Sequence, residues 1–447
     1  MRKFSTLASI ILVALFYPPV FAETPNENLI DIYELALKND PEFRAQQASL
    51  EAELETRFQA NANYARPVVS ISANADRNFQ DIDAEFGGGS SQFEAYGYTL
   101  NLSQPIYHRD RYIHLQQVDD QIKKAQFDLD AVEQNLMLRT AERYFAVLSA
   151  NDNLAFTQAE KSSLEKQLEE SNKRFEVGLI PITDVQEAQA GFDLAHAREI
   201  RAYNTLDDTR EALREITGRY PGSLSTLTEE VISTKPVPDD IDAWTQSALE
   251  NNLQLKASLV EVDIAEKQIK RQDAGHYPTV DLVGNHGFRS SGGQFGNTEI
   301  DFTKFGVELN IPIYEGGQVL SRTREAMHRH DQALEILEQT RRSVDRKTRE
   351  SYRGILSGIS QISAFNQAVL SSKTAVDATK MGVEIGTRTT VDVITAEQEF
   401  FRARKDYSQA RYEYILDTLR LKQALGKLSP EDIKQVNSLL SNQEISK

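Results

Sequence analysis

The chain has 447 residues, 40 % of them apolar, a formal net charge of −17 and no cysteine. That length exceeds one ordinary compact domain, and the acidic balance argues against nucleic acid as a partner. The missing thiols exclude a disulfide framework, a thiolate metal site and lipid attachment through cysteine.

The first element in chain order is a leader. Arg2 and Lys3 precede the apolar run LASIILVALF, and VFA (Val20 to Ala22) supplies the small residues that a signal peptidase reads. The run is about ten residues, too short to span a bilayer as a helix. Residues 1–22 therefore read as a signal peptide, with the mature chain starting near Glu23. Losing the two cations Arg2 and Lys3 takes the formal charge from −17 to −19. No later stretch reaches the roughly 18 apolar residues of a transmembrane helix. A β-barrel stays open, since barrel strands are only about ten alternating residues each.

After the leader, one unit of about 200 residues occurs twice. ALKNDPEFRA (Ala36 to Ala45) answers ALENNLQLKA (Ala248 to Ala257), and RPVVSI from Arg66 answers YPTVDL from Tyr277. LNLSQPIY, ending at Tyr107, answers LNIPIY, ending at Tyr314. VGLIPITDV (Val177 to Val185) answers IGTRTTVDV (Ile385 to Val393), and Gly218 answers Gly426. The order is the same and the offset stays between 207 and 212 residues. Copy one takes residues 23–218 and copy two 240–426. A Pro/Ser/Gly-rich linker (219–239) lies between them, and a short polar tail (427–447) follows, expected to be poorly ordered after Pro430.

In copy one, residues 29–64 read as a helix of about 36 residues, and 66–106 as a β-hairpin. Val69, Ile71, Ala73 and Ala75 alternate with polar residues, as do Tyr96, Tyr98, Leu100 and Leu102. An arm without proline then runs from Tyr107 to Gly178, long enough for one helix of about 70 residues, or roughly 105 Å. A tip at 178–183 reverses the chain into a helix over 182–217, whose Val185, Ala188, Phe192, Ala195, Ala202 and Leu206 keep seam spacing. Copy two repeats the plan: a helix, a hairpin at 278–313, an arm from Tyr314 to Gly386, a tip at 386–391 and a return helix. Its hairpin carries Val280 and Leu282, then Phe305, Val307, Leu309, Ile311 and Ile313, on alternating positions. Helices this long build a tube or a stalk, with whole arms alternating with paired half-length helices. Four strands cannot close a barrel, for which about eight is the minimum. Either the sheet packs on helices in a soluble fold or several chains pool strands. Aromatic residues near strand ends (Phe93, Tyr107, Phe302, Tyr314) favour pooling in an outer membrane, where three chains would give twelve strands.

The stretches Phe175 to Asp193 (FEVGLIPITDVQEAQAGFD), Ile385 to Ile415 and LNIPIYEGG (Leu309 to Gly317), with ALKNDPEFR near the start, resemble the TolC family of outer-membrane channel proteins. The resemblance spans roughly residues 27–430. It implies a homotrimer with a twelve-stranded barrel in outer-membrane lipid and a long α-helical tunnel through the periplasm. It also implies a tunnel whose inner end is closed by coiled coils until an inner-membrane transporter and its periplasmic adaptor dock. Gly178 and Gly386 then end the descending helices with positive φ. Thr183 or Asp184, and Asp392, sit where the ascending helices begin. As N-caps the two aspartates would each contribute about 1 kcal/mol, and Asp184 has capping-box spacing to Glu187. The resemblance points instead to Asp392 as a lumen-facing carboxylate at the constriction and matches Arg388 to the family's gate arginine, with acceptors at Thr183 and Asp184 of neighbouring turns. The chain departs from the family at Thr395, where a second aspartate is frequent, and at Val383, which stands at a gate tyrosine's position.

No catalytic motif, cofactor fingerprint or metal-ligand spacing appears. His328 and His330 are two apart on a helix and point to different faces. Trp244 reads as packing near a helix start, and the cationic run Arg341 to Arg349 as a solvated helix face. The leading reading is an export conduit for small toxic molecules, secreted polypeptides or both, with an ABC or RND transporter as the inner-membrane partner. The alternative is a structural or adhesive trimeric stalk. An adhesin puts its strands at one terminus, whereas here both hairpins sit between long helices.

Overall fold

A computed structural model of the chain describes residues 26–83, 89–228, 233–292 and 296–441. The leader, parts of both hairpin loops and the last six residues lie outside these. Two helices of 68 and 67 residues dominate: α3 (Arg109–Glu176) and α7 (Gln318–Glu384). Each is covered by two shorter helices. On α3, α2 (Pro41–Ala65) takes the first part, through Arg57–Asp119 and Arg139–Asp40, and α4 (Ile182–Thr217) takes the rest, where Arg143 donates to Ala212 O. On α7, α6 (Leu253–Asp273) and α8 (Thr390–Ala424) repeat the arrangement. Among the described residues, no helix is long and apolar enough to cross a membrane.

The helix expected over 29–64 is in fact two. A break at Asp40 separates α1 (Leu29–Asn39) from α2. Pro41 lacks the N–H that a continuous helix needs and pushes its predecessor out of the α region. Asp40 accordingly adopts φ −62°, ψ 121° and accepts from Phe43 N at 2.8 Å. Copy two breaks at the matching place without a proline. Asn252, between α5 (Ile241–Asn251) and α6, caps Leu255 N at 3.0 Å and donates to Ala424 O at 2.9 Å.

The strands β1 (Val68–Ile82), β2 (Gly89–Tyr107), β4 (Thr279–Ser291) and β5 (Thr298–Asn310) form one antiparallel sheet in the order β1-β2-β4-β5. The outer strands β1 and β5 each have one partner. Their apolar side chains are exposed, Ile71 by 70 % and Val307 by 69 %. A protein of this size does not leave such a face to water, so it belongs to lipid or to further strands.

The main core lies midway along the arms, far from strands and tips. Tyr144, Phe145, Leu136, Leu213, Ile355 and Leu419 are buried there with Leu29 and Ile32 of α1. Tyr144 Oη donates to Ser225 O at 2.7 Å, which ties the inter-copy linker to α3. Trp244, in the first turn of α5, donates Nε1–H to Pro238 O at 2.7 Å. The tail departs from the expectation of poor order. It folds into α9 (Pro430–Asn437) and a short strand β6 (Leu440–Ser441) paired with β3 (Thr226–Leu227). The cause is local. Ser429 and Asp432 form a capping box, Ile433 and Val436 fall on one face, and Asn437 accepts from Leu29 N at 3.0 Å. Ile433 is 1 % exposed, so Ile433→Ala should lower unfolding stability by about 2–5 kcal/mol in a denaturation series.

Candidate functional site: the two hairpin tips

Both tips use the same backbone device. Gly178 and Gly386 each have φ +76°. Gly178 N donates to Phe175 O (2.9 Å) and Leu179 N to Arg174 O (2.8 Å). In copy two, Gly386 N donates to Val383 O (3.1 Å) and Thr387 N to Gly382 O (2.9 Å). This is a Schellman ending, in which a left-handed residue lets the chain satisfy the last carbonyls and reverse. Nothing lies within 4 Å of where a Cβ would sit on either glycine. Conformation rather than space therefore demands glycine, and Gly386→Ala should destabilise the tip by about 1–2 kcal/mol.

The ascending helices start differently. Thr389 is the N-cap of α8, and its hydroxyl accepts from Asp392 N at 3.3 Å. Asp392 Oδ2 accepts in turn from Thr389 N at 2.8 Å and from its hydroxyl at 3.0 Å. Asp392 is thus the third helical residue of a capping box, not the N-cap. The N-cap of α4 is Pro181, which offers no side-chain acceptor. Asp184 is likewise third in its helix, and the box expected between Asp184 and Glu187 does not form. The Asp184 side chain accepts from Thr183 Oγ1 at 3.4 Å. A carboxylate in a first turn still gains from the helix dipole.

The Asp392 carboxyl is held below its ordinary value of 3.8. The cause is first the Thr389 backbone N–H, then the Thr389 hydroxyl, with the Arg388 charge adding least. A depressed carboxylate contributes stability above the unfolded value and loses it as pH falls through the folded one. Hydrogen exchange at the α8 start should therefore be equally protected at pH 7 and pH 5, after correction for intrinsic rates, and should open only below the ordinary carboxylate range.

Arg388 folds back on α7. Its Cγ lies 2.6 Å from where a Cβ would stand on Gly382, a buried residue one turn above the tip. Among the described residues its guanidinium has no hydrogen-bond or ion-pair partner within the chain, so the expected acceptors Thr183 and Asp184 are not engaged inside one protomer. Gly382 was missed in the sequence, although glycine one turn before the tip glycine is a signal for close approach. The equivalent position in copy one is Arg174, paired with Glu170 at 2.5 Å. Thr395, at the position of the frequent second aspartate, donates its hydroxyl to Val391 O at 2.9 Å. The two hairpins touch where Ile394 of α8 meets Gly191 of α4, with Ile394 Cδ1 3.2 Å from the place of a Cβ.

A sheet with two open edges and a lipid-type face, carried on helix pairs of tunnel length that end in tight turns, is one protomer of a barrel-and-tunnel channel. A family model described as "Outer membrane efflux protein" matches residues 32–219 and again 244–427. The chain belongs to that family. It is 36 % identical to the outer membrane protein TolC of Vibrio cholerae, over 92 % of this chain and 93 % of the relative. It is 29 % identical to the alkaline protease secretion protein AprF of Pseudomonas aeruginosa, over 91 % and 86 % of the two chains. The fold superposes on the CmeC outer membrane channel of Campylobacter jejuni with a TM-score of 0.78 at 17 % identity, covering 94 % and 90 %. The protein is thus an outer-membrane export channel of the efflux and type I secretion kind, reaching into the periplasm, and not an enzyme. Channels of this kind work with adaptors and inner-membrane transporters, and a homotrimer is in keeping with the related structures.

Proposed function

We propose that three chains close a twelve-stranded barrel and that the six tips form its periplasmic gate, opened when a periplasmic adaptor and an inner-membrane ABC or RND transporter dock. In this reading Arg388 bonds to Thr183 and Asp184 of an adjacent protomer's turn, and Asp392 contributes to a threefold carboxylate ring that attracts cations. The observation carrying it is Arg388 itself. It is a guanidinium at an exposed tip, seated on a glycine, with no hydrogen-bond or ion-pair partner among the described residues, and its fork of donors suits a carboxylate such as Asp184 on a neighbouring turn. Its cargo comprises small toxic molecules, secreted polypeptides or both. The similarity to a protease secretion protein supports the polypeptide branch, and the efflux relatives support the other. Purified trimers in planar bilayers test the reading. Low, cation-selective conductance is expected, and trimers that never conduct would refute it. A strain lacking its own channel, complemented with this gene and assayed for drug tolerance and protease export, separates the two cargo classes.

A further inference from the structure

A buried carboxylate lies a little beyond the gate residues described above. Glu397 lies five residues beyond Asp392 on α8 and is 3 % exposed. Its Oε1 accepts from Ser163 Oγ of α3 at 2.6 Å and faces Lys380 Nζ of α7 at 2.6 Å. Its Oε2 is buried without a hydrogen-bond partner among the described residues. One turn along α3, Glu160, also buried, pairs with Arg198 of α4. Burial holds the Glu160 carboxyl above the usual range; Arg198 opposes this, and the Glu397 charge adds to it. All four helices of the two hairpins therefore place a polar or charged group in one cluster around two buried carboxylates. The apolar contact beside it is small: Leu164, Ala195 and Ile394 form a three-residue core separate from the main one.

Burying a carboxylate costs more than an apolar residue of like volume would, so such a group stabilises poorly but discriminates between arrangements well. Here the discrimination is geometric. Lys380 and Glu397 belong to the same hairpin and move together. Ser163 belongs to the other hairpin, and its hydroxyl is the donor that Glu397 loses if the hairpins part. We propose that Glu397 is a positioning residue of the gate: by holding Ser163, it fixes where the Asp392 turn of the second hairpin sits against the first in the closed channel. The inference rests on the channel reading. Parting the hairpins costs the hydrogen bond from Ser163 to Glu397, a bond that only the closed arrangement makes.

The test is single-channel recording of trimers from the full chain, with Arg388→Ser as a reference for an opened gate. Ser163→Ala removes only the donor between the hairpins. A lost hydrogen bond to a charged group shifts an equilibrium by about tenfold to a hundredfold, and the time spent in high-conductance levels should rise accordingly. Glu397→Ala should do the same. Glu397→Gln keeps an acceptor for Ser163 while freeing the half-exposed Lys380, and should stay near the parent. Should Glu397→Ala fail to assemble, Ser163→Ala decides alone. Parent-like recordings from Ser163→Ala beside an opened Arg388→Ser overturn this inference and leave the channel reading standing. Equal opening by Glu397→Gln and Glu397→Ala also overturns it. Parent and Arg388→Ser trimers that are both silent overturn the channel reading and this inference with it.

Discussion

Arg388→Ser trimers will conduct more than parent trimers at every holding voltage, and cells that carry them will be more sensitive to bulky antibiotics, with trimer yield unchanged. The prediction follows from where Arg388 sits. Its side chain lies against Gly382, its guanidinium has no hydrogen-bond or ion-pair partner among the described residues, and the proposed gate assigns its donors to the neighbouring protomer's turn. A hydrogen bond to a carboxylate in a partly desolvated constriction contributes about 1.5–3 kcal/mol, against about 0–1 kcal/mol for a solvated surface pair. Threefold symmetry repeats the larger value at each junction. Gly382→Ala should reproduce part of the effect, because a Cβ there would stand 2.6 Å from the Arg388 Cγ. Asp392→Ala should act differently, weakening cation selectivity and block by multivalent cations. Arg388→Ser recordings that superimpose on the parent's would end the gate assignment.

Val307→Arg will abolish trimers. Val307 lies on the exposed apolar face of the edge strand β5, paired with Leu282 of β4 in the sheet register. A lipid-facing arginine costs from about 0–1 kcal/mol near an interface to about 2–4 kcal/mol at the bilayer midplane, and each trimer carries three. Glu308→Arg, one residue along and on the opposite face, is the control and should assemble. Native gels of protein extracted in mild detergent read both outcomes. A stable parent monomer with its β-sheet spectrum intact would contradict the pooled barrel, because four strands cannot close on themselves.

The long arms were legible in the sequence because two local rules agree there: a sustained seam with no proline, and a glycine where each helix must stop. The tips were legible for the same reason, and the repeat made each a check on the other. What escaped the reading depends on contacts distant in sequence. Asp40 is held by Arg139, 99 residues away, and Asn252 by the end of α8, so the half-length helices break where tertiary partners wait. The folding of the tail rests on Leu29, 408 residues from Asn437. Nothing local marks Glu397 as buried, because its Ser163 partner lies on another helix. At the tips, N-cap and third position have similar composition, and only the geometry of Thr389 and Pro181 separates them.

The two tips share a backbone turn but differ in chemistry. One tip begins its helix with Pro181 and carries Arg174; the other begins with Thr389 and carries Gly382 under Arg388. A trimer therefore ends in six hairpins of two alternating kinds, a hexagon in outline but only threefold in chemistry. A ring of six identical docking subunits would meet two different surfaces in turn. It could treat them alike only through what both kinds share, the glycine turn and the apolar residues flanking it. A partner that recognises Arg388 or the Thr389 box finds three places to bind and no more. Stoichiometry at this end of the tunnel is then a direct readout of which features a partner touches.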